Sequence, residues 1–151
     1  MAVATNEGKV TMGMGNILEL VDKYQNEEVS ITIMGHSLGA TLATLNAMDI
    51  ANNGFNKPTN NPNKAFKVTV FSAVSPFVGN LMLKRIFDGL KNLHLLRIVN
   101  FIDPILKVPF VPGIYFHVGQ ELGIDTTKSP YLKWNINPHN LEAYQHGIAG
   151  C

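Results

Sequence analysis

Apolar positions along this chain switch between a period near 3.6 and a period near 2, and each switch marks a new element. Val10, Met14, Ile17, Leu18, Val21 and Tyr24 recur at three- and four-residue spacing, which predicts an amphipathic helix over residues 9–25. Asn26-Glu27-Glu28 ends it, and the β-branched run 29–34 predicts a strand. A helical pattern starts at Ala40 and runs to about Asn52. Residues 52–64 hold six asparagines with Pro58, Pro62 and Gly54, a polar loop rather than a reactive cluster. A second strand is expected over 66–73, and a helix over 80–92 with Leu81, Leu83, Ile86, Phe87 and Leu90 on one side. A third strand is expected over 93–100. Pro104, Pro109 and Pro112 make 104–113 irregular. A short fourth strand over 114–118, a loop over 124–138 and a last helix from about His139 complete the reading. Strands that alternate with helices predict an α/β fold, a mostly parallel sheet of about four strands flanked by helices. In such sheets reactive groups collect at the carboxyl ends of the strands.

Composition narrows the setting. The chain has 151 residues, enough for one domain, with 46% apolar and 15% charged residues. The formal charge is +1 and no long basic run occurs, which argues against nucleic acid as a partner. No apolar stretch reaches the roughly 18 residues that span a bilayer. The one cysteine, Cys151, cannot form an internal disulfide, which favours a reducing compartment. The first residues lack the charged start and apolar middle of a signal peptide, so a cytoplasmic location is the expectation.

The candidate chemistry lies between the strand 29–34 and the helix from Ala40, where the chain reads Gly35-His36-Ser37-Leu38-Gly39. Strand, Gly-x-Ser-x-Gly and helix together are the context of a nucleophile elbow. Glycines at 35 and 39 are expected to remove Cβ atoms that so sharp a turn cannot hold. The Ser37 hydroxyl would then project from the sheet, with the positive end of the next helix behind it.

A serine hydroxyl needs an adjacent base, and the base needs a group to orient it. Behind such an elbow the chain meets an acid and then a histidine. Asp49 lies within the elbow helix, Asp88 on an amphipathic helix, and Glu121 and Asp125 in or near a loop. Asp103 alone directly follows a strong apolar strand. His36 sits inside the elbow and is expected to pack; His94 and His117 are expected in strands, with structural or exposed roles. His139 and His146 bracket the last helix on a similar face, and spacing leaves both open as the base.

At this point the chain resembles the plant class 3 lipases of the cytosolic phospholipase A1 type II kind. Glu28-Val-Ser-Ile-Thr-Ile-Met-Gly-His-Ser-Leu-Gly-Ala40 resembles their elbow block and Arg97-Ile-Val-Asn-Phe-Ile-Asp103 their acid block. Lys128-Ser-Pro-Tyr-Leu-Lys133 and His139-Asn-Leu-Glu-Ala-Tyr-Gln-His-Gly-Ile-Ala-Gly150 resemble their C-terminal signature. The resemblance implies a partial α/β-hydrolase fold, with residues 1–151 the C-terminal portion of a catalytic domain whose N-terminal strands and lid are missing here. It implies Ser37 as nucleophile, His139 as base and Asp103 as orienting acid. The Leu38 backbone N–H would be one oxyanion donor, and no metal or cofactor is called for. The implied substrate is an acyl lipid, a phospholipid cut at sn-1, with galactolipid and triacylglycerol as further candidates, and with peripheral membrane contact. A truncated remnant that at most binds lipid or a partner protein is the alternative. Phe77 stands where the family has arginine after its Ser-Pro, and Asp103-Pro104-Ile105-Leu106 departs from the family's Asp-x-Val-Pro. The apolar run 108–116 reads as core packing, with acyl-groove lining or an exposed patch as alternatives.

Overall fold

The structure, a computed structural model, describes residues 2–5, 8–11, 16–133 and 135–150. Cys151 and Met14, invoked above, lie outside them.

Among the described residues, six strands form one sheet. They are β1 (Ala2–Thr5), β2 (Gly8–Thr11), β3 (Ser30–His36), β4 (Lys67–Ala73), β5 (Leu93–Asn100) and β6 (Gln120–Ile124), in the order β2-β1-β3-β4-β5-β6. The four strands β3 to β6 are parallel, which matches the expected α/β class. The helices are α1 (Ile17–Lys23), α2 (Leu38–Asn52), α3 (Leu81–Gly89) and α4 (Leu141–Ala149).

The sheet's first face explains the strand sequences. Ile31 and Ile33 on β3, Val68 and Val70 on β4, and Leu93 and Leu95 on β5 are buried in one cluster with Ile17 and Val21 of α1, Ala47 and Ile50 of α2, and Phe87 of α3. Alternate residues on those strands point the other way. There Met34 is 65% exposed, His94 is exposed and Thr69 and Phe71 are only half-buried. The second face is covered mainly near its carboxyl end. Ala73, Val74, Ile98, Val99, Leu106, Ile124 and Tyr144 form a separate buried cluster there, closed by α4.

Three expectations are corrected. The helix over 9–25 is not one element: Gly8–Thr11 is a strand paired antiparallel with β1, and the helix begins only at Ile17. The polar–apolar alternation of Gly8-Lys9-Val10-Thr11 suits either period, and pairing β1 with β3 satisfies backbone groups that β3 would otherwise leave open. The fourth parallel strand is Gln120–Ile124, not 114–118, where only Phe116 bridges, antiparallel to Gly79. Two positive-φ glycines, Gly113 and Gly119, bound the displaced segment. A Cβ on Gly119 would lie 2.6 Å from the Leu95 carbonyl oxygen, so only glycine lets the chain cross β5 there. β6 is an edge strand exposed at four of its five positions, so it carries little apolar signal. Finally, the run 108–116 is not core. Phe110 is 69% and Ile114 52% exposed, and the loop forms an apolar groove with Phe77 and Tyr115.

Candidate active site

The elbow forms because β3 runs straight into α2 with one residue between them. That residue, Ser37, has φ 56° and ψ −129°, a region that side-chain-bearing residues rarely occupy, at a cost of about 1–3 kcal/mol. Its N–H donates to the Ala73 carbonyl at 3.0 Å, and its own carbonyl accepts from the Ala40 N–H at 2.9 Å. Those two bonds hold the strain in place. A Cβ on Gly35 would come within 2.6 Å of the Ala40 nitrogen, so Gly35 is sterically required. Gly39 is different: a Cβ there meets nothing within 4 Å, which corrects the expectation that both glycines relieve a clash. The close approach is of Gly35 to the Gly39 backbone, and one missing Cβ is enough for it. Leu38 opens α2 and its side chain is exposed. The first N–H groups of a helix have no partner inside it, so the Leu38 N–H sits at a donor-rich terminus.

A second strained residue adjoins the first. Val74, fully buried, has φ 48°, rare for a β-branched side chain. It follows Ala73, the residue that takes the Ser37 N–H. Two strained positions therefore meet at the carboxyl edge of β3 and β4.

Asp103 follows β5 by three residues, and its N–H donates to the Asn100 carbonyl at 2.9 Å. Its side chain caps the turn Pro104–Lys107, with Oδ1 accepting from the Ile105 N–H at 2.9 Å. The carboxylate is 1% exposed. His139 precedes α4, and its N–H donates to Asn137 Oδ1 at 3.0 Å. Folding brings the three side chains together although 102 positions separate the first from the last. Ser37 Oγ lies 2.9 Å from His139 Nε2, and His139 Nδ1 lies 3.0 Å from Asp103 Oδ2. With a proton on Nδ1, the ring donates to the carboxylate and turns an unprotonated Nε2 towards the hydroxyl. His146 lies in the last turn of α4; the histidine that meets Ser37 is His139.

Three contributors to this arrangement escape a reading of the sequence. His36 does more than pack: its Nε2 bonds the His139 carbonyl at 3.0 Å, tying the elbow to the segment that carries the imidazole. Tyr144, fully buried on α4, donates its hydroxyl proton to Asp103 Oδ2 at 3.1 Å and accepts from the Asn100 N–H at 3.2 Å. Asn100, also buried, donates from Nδ2 to Thr126 Oγ1 at 2.9 Å and to the Pro138 carbonyl at 3.3 Å, just before His139. The one available signal was Tyr144, five residues beyond His139 and on the inner side of a helix with an exposed Leu141.

His117 braces the acid from below. Its Nε2 donates to the Leu106 carbonyl at 3.0 Å, within the turn that Asp103 caps, and its ring stacks on Phe77 at 4.1 Å. Phe77 thus has a packing role at the position where an arginine was expected. Burial, helped by the nearby Arg97 charge, lowers the His117 pKa to about 4, so the ring is neutral near pH 7. Arg97 itself pairs with Glu121 across β5 and β6. Of the other acids considered, Asp49 accepts from Asn53, Asp88 pairs with Lys84, and Asp125 caps a turn.

Known proteins share this architecture. A class 3 lipase family profile matches residues 6–113. Phospholipase A1-IIgamma of Arabidopsis thaliana is 50% identical over 135 residues, which are 87% of this chain and 32% of that protein. Phospholipase A1-II 4 of Oryza sativa subsp. japonica is 47% identical over 138 residues, 89% of this chain and 33% of that protein. The chain thus spans about a third of the length of the relatives it matches. Among solved structures, the Rhizomucor miehei lipase in its native propeptide complex superposes with a TM-score of 0.59 at 18% identity, over 87% of this chain and 43% of that one. The likeness places the sheet and its flanking helices in the lipase fold. The matched profile and the identity over most of its length establish that this chain belongs to the class 3 lipase family.

Proposed function

We propose that this chain is a serine carboxylic-ester hydrolase acting on acyl lipids, with phospholipase A1 chemistry at the sn-1 ester of a glycerophospholipid. The observation that carries the reading is the unbroken hydrogen-bond path from Ser37 Oγ through the His139 ring to Asp103. The names of the two plant relatives supply the substrate class. In this reading Ser37 Oγ attacks the ester carbonyl while His139 Nε2 takes its proton. Asp103 stabilises the imidazolium that results. The Leu38 N–H donates to the oxyanion of the tetrahedral intermediate, a contribution worth about 10²–10³ in rate for each such donor. Collapse releases the lysophospholipid alcohol, which takes the proton from His139. Water, deprotonated by the same nitrogen, then frees the fatty acid and restores Ser37.

Galactolipids and triacylglycerols carry the same ester and belong to the proposal as further substrates. The proposed approach to them is peripheral; no helix among the described residues is long and apolar enough to cross a membrane. We take the chain to be the C-terminal portion of a catalytic domain acting in the cytoplasm, the latter supported by the single cysteine. A fluorophosphonate probe tests the core of this reading. The folded chain should label at Ser37, Ser37→Ala should not, and the labelling chain should release fatty acid from the sn-1 position of phosphatidylcholine vesicles. A folded chain that neither labels nor releases fatty acid is the remnant instead.

A further inference from the structure

We propose that Tyr144 is a positioning residue of this site: its hydroxyl fixes the Asp103 carboxylate and shares Oδ2 with His139, thereby tuning how tightly the acid holds the imidazole. The inference rests on the roles given above to Asp103 and His139.

The argument begins with proton count. A tyrosine hydroxyl carries one proton and can both donate and accept. The Asn100 N–H can only donate, and it reaches the Tyr144 oxygen at 3.2 Å. The Tyr144 proton is therefore directed to its other neighbour, Asp103 Oδ2, at 3.1 Å. Burial holds the phenol well above its ordinary ionisation range, so that proton stays in place at any working pH. Asp103 Oδ2 then receives two donors, the tyrosine hydroxyl and His139 Nδ1, while Oδ1 receives the Ile105 N–H. All three arrive in a site where the carboxylate and the tyrosine are almost entirely shielded from water. A buried polar network of this kind is strongly coupled, because low dielectric strengthens each bond and leaves no water to replace a lost one.

The consequence is directional. A carboxylate oxygen that accepts from a phenol has less negative charge to offer a second donor. Weakening the phenol's donation should make Asp103 a better partner for the imidazolium, and strengthening it should do the reverse. Among the described residues, Asp103 bonds the His139 ring and the His36 ring faces it 5.0 Å away between centroids. His36 also touches the Tyr144 ring edge-on, and both substitutions considered next keep that ring.

The test is an NMR titration of the His139 Cε1–H in the intact chain, which needs no turnover. Tyr144→Phe removes the donor, and the His139 titration midpoint should rise by about half a unit or more. Replacing Tyr144 with 3-fluorotyrosine keeps the ring and hydroxyl but makes a stronger donor, and the midpoint should fall. A rise with Tyr144→Phe together with a fall in the fluorotyrosine chain supports the proposal, and the reverse pair of shifts overturns it. Midpoints that stay put, or move in the same direction, overturn it and leave Tyr144 a purely structural residue. If Tyr144→Phe does not fold, the fluorotyrosine chain alone decides by falling or failing to fall. Fluorophosphonate labelling of the parent, run alongside, reports on the hydrolase reading separately. Where the parent labels, the acid limb of the labelling rate against pH should follow the same two shifts.

Discussion

The two halves of the candidate site are built in different ways. The Ser37 half is a backbone device built on residues 30–52, with one outside contact, the Ala73 carbonyl at the end of β4. One strand runs into one helix, one missing Cβ allows the approach, and two main-chain bonds hold the strained serine. The Asp103–His139 half is a side-chain device assembled from separate elements. Asp103 comes from the end of β5, His139 from the segment before α4, Tyr144 from within α4 and Thr126 from the turn after β6. Strain is concentrated in the first half and buried hydrogen bonding in the second. A backbone device tolerates changes of side chain except where sterics forbid them. A polar network fails when any member stops donating or accepting as its neighbours require.

Substitutions can break this comparison, and the largest effect should come from the network. Asp103→Asn preserves shape but presents an amide where His139 Nδ1 needs an acceptor, which favours the wrong tautomer. The rate of fluorophosphonate labelling should fall by about 10⁴-fold in a chain that still folds. A loss of less than tenfold would show that the acid does not orient the base.

Next comes the elbow. Gly35→Ala pushes a methyl group into the backbone at Gly39 and Ala40, which cannot move without unwinding the start of α2. It should cost about 3 kcal/mol in urea unfolding. An alanine tolerated at 35 would mean that the turn is looser than its geometry states.

His117 separates the two halves by pH. Its pKa is about 4 in the folded chain against an ordinary 6.5. Between those values the unfolded chain binds a proton that the folded chain does not. Stability should therefore fall as pH drops from about 6.5 towards 4, by about 2 kcal/mol once the roughly 3.4 kcal/mol of the full shift is discounted for solvent screening of a partly exposed ring. His117→Gln keeps a donor for the Leu106 carbonyl without the titration, so its urea midpoint should vary less over that window. Equal slopes for parent and variant would remove His117 from the acid sensitivity.

The smallest effect sharpens the contrast within the elbow itself. Gly39→Ala meets open space at the start of a helix, so it should change stability by no more than about 1 kcal/mol, in the stabilising direction. A loss as large as that at Gly35 would make the two glycines equivalent after all.

What could be read from the chain itself was whatever neighbours in sequence decide. The runs at 29–34, 66–73 and 93–100 announced β3, β4 and β5 because alternate positions on each are apolar and buried on one face of the sheet. Gly35-His36-Ser37-Leu38-Gly39 announced the elbow because its geometry depends on five consecutive residues. The edge strand β6 and the paired β1 and β2 were hidden, since an edge shows no strong apolar pattern and a short alternating run fits two periods. The order of Ser37, Asp103 and His139 was legible, but their meeting was not. Spacing alone separated His139 from His146 only weakly, and the placement of α4 against β5 and β6 set one imidazole beside Ser37. The hydrogen bonds that Tyr144 and Asn100 make were invisible for the same reason. A hydrogen bond between residues 41 or 44 positions apart has no local signature, and sheet register with helix docking, not composition, decides whether it forms.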